Sequence, residues 1–267
     1  MAWDGKRALV TGGAGFIGSH VVDALLAAGA RVTVLDNLES GKADNLAHVA
    51  DHIEFIRGDI RDVTQVERAV TGHAVVIHLA ALADVPSSVA HPTNCFETNV
   101  LGTEHVLRAC LKHPVERVVF ASSAAVYGPP IRRPMDEDHP RRPISPYGAA
   151  KLAGEALGFA YYHTYDLPFT ALRIFNTYGP RQPRYVMYDL LVKLHRSPNE
   201  LEVLGDGTQT RDYCYATDTA RAFRLAAESP QAVGQAINLA GGTPYTIDQI
   251  VALLIRLLNL EKRTTVH

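Results

Sequence analysis

Two stretches of this chain carry side chains at spacings suited to moving a proton. Tyr147-Gly148-Ala149-Ala150-Lys151 sets a phenol and an ammonium four residues apart, one above the other on a single helix face. A phenol has a reference pKa of about 10, so removing a proton near neutrality requires a fall of ~3 units, or ~4 kcal/mol. An ammonium ~5 Å away supplies roughly 3 kcal/mol of this at an effective dielectric of ~20. Taken alone, Tyr-x-x-x-Lys also recurs by chance on amphipathic helices, with the phenol half buried and the lysine stem lying along apolar surface. Two neighbours favour chemistry here. Ser145-Pro146 provides a helix start, and Phe120-Ala121-Ser122-Ser123 ends an apolar run with a hydroxyl pair. A serine at the carboxyl end of a central strand can hydrogen-bond the same substrate oxygen that a tyrosine deprotonates.

Such a device needs a partner and a scaffold, and the start of the chain offers both. Ala8 to Thr11 is a short strand-forming run that enters Gly12-Gly13-Ala14-Gly15-Phe16-Ile17-Gly18 and then a helical pattern, Val21 to Ala28. Glycines in a strand-to-helix turn let main-chain N–H groups approach phosphate oxygens, and the helix N-terminus adds positive potential. The spacing reads either as G-x-G-x-x-G from Gly13 or as the wider G-x-x-G-x-x-G from Gly12; the wider form accords better with the Tyr147 and Lys151 pair. A second strand, Arg31 to Leu35, ends at Asp36, whose carboxylate suits ribose hydroxyls and repels a 2′-phosphate, which favours NAD over NADP. The competing reading is a glycine turn in a flavodoxin-like protein that holds no nucleotide.

Up to about residue 176, buried-strand runs alternate with helical patterns, the signature of an α/β fold with a doubly wound parallel sheet. The strands are Arg7 to Thr11, Arg31 to Asp36, Ile53 to Arg57, Ala74 to Leu79, Arg117 to Ser122 and Phe169 to Phe175, and long helices run from Asn94 to Lys112 and from Tyr147 to Tyr165. Their Val/Ile/Leu content predicts cover on both faces. Beyond 176 the pattern loosens: helices at Tyr185 to Arg196, Thr217 to Ala227 and Ile247 to Leu258, with extended pieces at Leu201 to Leu204 and Ala236 to Leu239. The expectation is a nucleotide-binding domain, 1–176, and a smaller α/β substrate domain, 177–267, packed closely around a cleft.

Composition removes several function classes. A net charge of -2 over 267 residues, with no basic stripe, argues against nucleic acid or an anionic membrane as partner. Cys95, Cys110 and Cys214 are too few and too widely spaced for a disulfide framework or zinc knuckle, and none of the 12 histidines stands in H-E-x-x-H spacing, so no metal is expected. Met1 to Arg7 leads straight into the first strand and no apolar run reaches membrane-spanning length, which points to a cytoplasmic protein without a leader. Arg132-Arg133-Pro134 and Arg141-Arg142-Pro143 flank Met135-Asp136-Glu137-Asp138 in a solvated loop rather than a nucleic-acid patch, and His105 and His113 read as structural.

These stretches occur in order with further motifs: Asp36-Asn37-Leu38-Glu39-Ser40-Gly41, Gly58-Asp59-Ile60-Arg61-Asp62, His78-Leu79-Ala80-Ala81, Thr98-Asn99-Val100, Arg173-Ile174-Phe175-Asn176, Tyr178-Gly179-Pro180-Arg181-Gln182 and Arg211-Asp212-Tyr213. The chain resembles an extended short-chain dehydrogenase/reductase of the nucleotide-sugar epimerase/dehydratase group over nearly its whole length. That resemblance implies a Rossmann-type sheet and a set of roles. Gly12, Gly15 and Gly18, with Phe16 and Ile17 between them, would hold the pyrophosphate of NAD. Asp36 and Asn37 would take the adenosine ribose, with Ser40 and Gly41 beside them, and Asp59 and Ile60 the adenine. Leu79, Ala80 and Ala81 would line the cofactor cleft, and Asn99 would serve both as a structural group and as a cofactor-side contact. Ser123, Tyr147 and Lys151 would be catalytic, Lys151 also holding the nicotinamide ribose, while Asn176 and Arg211 would meet the diphosphate of a nucleotide-sugar substrate that Ser123 and Tyr147 also touch.

The 4,6-dehydratases and decarboxylating relatives of this group typically carry an acid beside the catalytic hydroxyl, where this sequence has Ala124 and Ala125. The resemblance therefore implies a 4-epimerase, with an NAD(H)-dependent nucleotide-sugar reductase or dehydrogenase, or a 4,6-dehydratase, as alternatives. A non-enzymatic cofactor sensor on the same fold would be expected to have a damaged trio, and the trio is intact. Members of the group often form homodimers through the two long helices, which would give His163 and Tyr161-Tyr162 an interface role. They also carry a further C-terminal strand with an arginine and an acid over the nucleotide; ending at Thr264-Thr265-Val266-His267, this sequence fits either a short form with a more open base site or a piece of a longer chain.

Overall fold

The computed structural model describes residues 3–261 and 264–266; Met1 and Ala2, read above as the start of a leaderless chain, lie outside the described residues, as does His267. The first compact unit is built from Met1–Phe175 and Ala216–Leu239, the second from Asn176–Tyr215 and Ala240–His267. In chain order the elements of the first unit begin with β1 (Arg7–Thr11), α1 (Phe16–Ala27), β2 (Arg31–Asp36), a 3-10 stretch Ala43–His52, β3 (Ile53–Arg57), α2 (Val63–Val70), β4 (Val75–His78) and α3 (Val85–Ala90). They continue with α4 (Pro92–Phe96), a π-helical turn Glu97–Leu101, α5 (Gly102–Lys112), β5 (Arg117–Ser123), α6 (Pro146–Tyr165) and β6 (Phe169–Ile174).

The sheet runs β3-β2-β1-β4-β5-β6, with one further strand at the β6 edge, and every pair is parallel. Strand order reverses between β1 and β4, so the glycine turn after β1 and the Leu79–Ala81 segment after β4 face each other across the switch point, where α/β sheets bind ligands. On one face Val21, Val22 and Leu25 of α1 pack with Ala8, Val10, Val32, Val34 and Val119; on the other, Val66 and Val70 of α2 and Val106, Leu107 and Cys110 of α5 pack with Leu9, Val76, Val118, Phe120 and Phe169. The β strands are covered as their composition predicts, except β3, an edge strand whose Phe55 is exposed.

The second unit holds β7 (Asn176–Tyr178), α7 (Val186–Arg196), β8 (Glu200–Leu201) and β9 (Thr210–Tyr215). The chain then re-enters the first unit as α8 (Ala216–Glu228) and β10 (Ala236–Leu239), before β11 (Pro244–Thr246), α9 (Ile247–Leu257) and β12 (Thr265–Val266) return to the second. This differs from a single boundary at 176. A doubly wound sheet needs cover on both faces, and α8 supplies it with Ala220, Phe223 and Ala227 beside α1, while β10 extends the sheet by pairing with β6 at Ala236↔Ala171. The second unit has its own core of Leu190, Leu194, Leu201, Ile250, Val251 and Ile255, and α9 starts on a capping box between Thr246 and Gln249. Among the described residues no helix is long and apolar enough to cross a membrane.

Candidate active site

The glycine turn is shaped by its own main chain. Gly12 sits at φ +73°, and a Cβ there would come within 2.6 Å of the Ala80 nitrogen; one at Gly18 would stand 2.1 Å from the Gly12 carbonyl oxygen. At Gly15, the N-cap of α1, a Cβ would meet only that carbonyl oxygen, at 3.2 Å, and otherwise open space in front of the helix. Among the described residues no side chain caps α1 and no acid occupies its first turn, so the N–H groups of Phe16, Ile17 and Gly18 lie at an N-terminus that receives an anion favourably. The wider Gly12-Gly15-Gly18 spacing therefore corresponds to two close approaches and one open mouth.

The adenosine side follows from β2. Asp36 is buried, its Oδ2 accepting from the Ala14 N–H at 2.9 Å and its Oδ1 from the Leu38 N–H at 2.8 Å. Burial raises its pKa, and the two main-chain donors oppose that rise. These bonds fix the carboxylate while leaving lone pairs for ribose hydroxyls. Gly41 packs close against Ala14 and Asp36, and the exposed Ser40 precedes it. Asn37 donates to Asp59 at 2.9 Å, and Asp59 is held at a pKa of about 2, chiefly by its hydrogen bonds from Arg61. The side chain of Ile60 is buried, with its methyl end under Gly102, and its carbonyl accepts from His105 Nδ1 at 3.0 Å. The side chain of Ile60 thus faces the core, and His105 is structural as expected.

Across the switch point, Leu82, which follows the Leu79–Ala81 segment expected to line the cofactor cleft, is pinned by Asn99. Its Oδ1 accepts from the Leu82 N–H at 2.8 Å, and its Nδ2 donates to the Leu82 carbonyl at 3.0 Å and to Cys95 Sγ at 3.4 Å. Of the two roles expected for Asn99, the structure displays the structural one: its amide is engaged with Leu82. The π-helical turn Glu97–Leu101 that carries Asn99 interrupts the single helix expected from Asn94 to Lys112, as such turns do where a helix is adapted to a site.

The residues expected to transfer protons come from β5 and α6. Ser145 Oγ caps α6 by accepting from the Gly148 N–H at 3.1 Å, and the Tyr147 N–H donates to Ser88 Oγ of α3 at 3.2 Å, which fixes the first turn. One turn on, the buried Lys151 donates from Nζ to the Ala121 carbonyl at 2.8 Å, 5.0 Å from the Phe120 ring centre and 6.0 Å from that of Tyr147. Burial lowers the Lys151 pKa to about 8. Ser123 ends β5 and accepts from the Ala125 N–H at 3.2 Å. The expected hydroxyl pair is divided, because adjacent strand residues face opposite ways: Ser122 donates to Glu155 on α6.

That bond belongs to a buried network the sequence reading missed. Arg173 of β6 forms a fork with Glu155, Nε to Oε1 at 2.9 Å and Nη2 to Oε2 at 2.8 Å, both side chains at 2% exposure or less. Its Nη1 donates to Tyr127 OH at 2.8 Å and the Glu137 carbonyl at 3.0 Å, and Tyr127 donates to Asn238 of β10 at 2.6 Å. The network therefore ties α6, one turn beyond Lys151, to the ends of β5, β6 and β10. A signal was present: an arginine inside the apolar run Phe169–Ile174 demands a buried partner.

In the second unit, Asn176 of β7 donates to the Asp212 carbonyl at 3.1 Å and pairs in register with Tyr213, while Arg211 of β9 is exposed and donates to its neighbour, the Thr210 carbonyl. Tyr161 and Tyr162, expected at an interface, are half-buried and pack on one side against the core of the first unit.

Comparison with known proteins accords with this geometry. Residues 8–240 match a family described as the NAD dependent epimerase/dehydratase family. The chain is 38% identical over 255 residues to a putative UDP-glucose 4-epimerase of Methanocaldococcus jannaschii, covering 92% of this chain and 80% of that protein. It is 37% identical over 249 residues to a dTDP-glucose 4,6-dehydratase of Streptomyces niveus, covering 90% and 74%. Its fold superposes with a TM-score of 0.92 on a UDP-N-acetylglucosamine 4-epimerase from Methanobrevibacter ruminantium M1, solved in complex with UDP-N-acetylmuramic acid, at 35% identity and covering 98% and 85%. The chain is thus a member of the NAD-dependent epimerase/dehydratase family of extended short-chain dehydrogenases/reductases, with NAD as its cofactor.

Proposed function

We propose that this enzyme is a nucleotide-sugar 4-epimerase. The observation that carries the reading is the make-up of the β5 end: Ser123, Tyr147 and Lys151 form a proton-transfer set, and the turn after Ser123 is Ala124-Ala125-Val126, with no carboxylate to protonate a leaving hydroxyl. The glycine turn, Asp36 and the main chain near Asp59 and Ile60 would hold NAD, Leu79 to Ala81 would wall it in, and Lys151 would meet its nicotinamide ribose. When bound, NAD supplies the acceptor for hydrogen at sugar C4 and its later donor, so the net redox change is zero.

Tyr147 takes the proton of the C4 hydroxyl as the 4-keto sugar forms. Lys151, with Nζ 6.0 Å from the ring centre, favours the developing phenolate by about 3 kcal/mol at an effective dielectric of ~20. Ser123 hydrogen-bonds the same oxygen, and Tyr147 returns the proton after the keto sugar has turned. We assign Asn176 and Arg211 to the substrate diphosphate, for which a guanidinium is the fitting donor. We also propose a homodimer through the two long helical segments, where Phe96, Leu101 and Tyr165 are exposed at 52%, 42% and 57%. Three free, buried cysteines accord with a reducing cytoplasm.

The test incubates the protein with UDP-, GDP-, CDP- and dTDP-sugars and no added cofactor. Inversion at C4 is the expected product. A 6-deoxy product would show a dehydratase, and steady consumption of added NADH in proportion to product a reductase. Light scattering at micromolar concentration should give twice the chain mass; a monomer would overturn the dimer.

A further inference from the structure

His78 stands at the end of β4, buried between β1 and α5, with no role in the proton chemistry. Its Nε2 lies 3.0 Å from Thr103 Oγ1, and that hydroxyl donates its hydrogen to the Asn99 carbonyl at 2.7 Å. Thr103 can therefore only accept from the ring, so Nε2 carries the hydrogen. The other nitrogen, Nδ1, lies 2.7 Å from Thr11 Oγ1. With the ring neutral, Nδ1 is an acceptor and Thr11 must donate to it, which aims the remaining lone pairs of Thr11 Oγ1 at the Ala80 N–H, 3.2 Å away. Burial, reinforced by the Lys151 charge, holds the imidazole neutral, with a pKa near 3. The chain of hydrogen bonds thus has one direction from Ala80 through Thr11 to His78, and from His78 through Thr103 to Asn99.

Both ends of this chain act on the cofactor wall. Thr11 immediately precedes Gly12, where even a Cβ would come within 2.6 Å of the Ala80 nitrogen, and Asn99 holds Leu82 by its N–H and carbonyl. We infer that His78 is a positioning residue for NAD: by accepting from Thr11 it sets the wall at Ala80 against the glycine turn, fixing the width of the cofactor site. The two halves of the chain are unequal. Without Nε2, Thr103 keeps its bond to Asn99; without Nδ1, the buried Thr11 hydroxyl loses its acceptor and must turn away from Ala80.

Two variants separate the halves, since an asparagine amide reaches the position of Nδ1 and a glutamine amide that of Nε2. His78→Asn should keep NAD retention per chain, after purification and dialysis, within about threefold of wild type, whereas His78→Gln should release it about tenfold faster, the effect of one buried hydrogen bond left unmade. Both variants should lose stability, His78→Asn through the larger cavity and His78→Gln through the unpaired Thr11 hydroxyl, so NAD release is compared only between variants shown to be folded at the assay temperature. Equal NAD release from the two folded variants, or faster release from His78→Asn, would overturn the inference. In 15N NMR spectra of the wild-type holoprotein, the His78 ring should show a protonated Nε2 and bare Nδ1 at neutral pH; the opposite tautomer contradicts it. Neither readout depends on which sugar reaction the enzyme performs.

Discussion

The two halves of the sheet do different work with different materials. Around β1 and β2 the site is made almost entirely of main chain, with glycines removing side chains and Asp36 anchored by two amide groups. Around β5 and α6 it is made of side chains, with the buried Glu155–Arg173 pair and Lys151 set between strand and helix. A resident cofactor is bound by shape and dipole, which need little conformational adjustment. The proposed proton transfer would need a phenol and an ammonium held in fixed geometry, and the buried network anchors the helix that carries both, at a cost in desolvation.

This contrast predicts that damage on the β5 side removes chemistry while NAD stays, and damage on the β1 side removes NAD. Tyr147→Phe should reduce turnover by about 10³-fold in a steady-state assay, the scale of a lost general acid–base. NAD content should be unchanged; loss of the cofactor in this variant would erase the contrast. Glu155→Gln leaves a buried guanidinium without its counter-ion and should cost about 4 kcal/mol, read as a fall of about 10 °C in thermal midpoint. The double variant Glu155→Leu with Arg173→Met should recover part of that stability, and a stable single variant would refute the network's role. Gly18→Ala, which drives a methyl group into the Gly12 carbonyl, should cost about 1–3 kcal/mol and deplete NAD on purification.

The smallest effect is in pH. Lys151 loses its charge above about 8, so turnover should fall above that value by about tenfold per pH unit. Stability runs the other way: the folded lysine holds its proton less firmly than an unfolded one, so the unfolded state binds more protons between about 8 and the ordinary lysine value, and stability rises across that window. Turnover that stays flat to pH 10 would show that the ammonium is not needed.

The glycine half was legible because its determinants are local. Gly12 to Gly18 and the β2 end at Asp36 each announce themselves within a few residues. The catalytic half was legible only in part. Tyr147 and Lys151 share a helix, but Glu155, Arg173, Tyr127 and Asn238 come together across up to 111 residues, and a partner at that distance leaves no periodic trace. The return of α8 and β10 to the first unit was hidden for a related reason: each is an ordinary helix or strand in sequence, and the empty sheet face and edge that need them are visible only in three dimensions. Ser122 and Ser123 read as a pair and were separated by the pleat, a distinction that alternation along the strand makes available beforehand.

The most direct measurement uses a nucleotide sugar deuterated at C4. If the enzyme oxidises and restores that carbon within one site, the inverted product keeps its deuterium, no label enters solvent or added NAD, and no water is lost from the sugar. Deuterium recovered in free NADH, or a 6-deoxy product, would contradict the account.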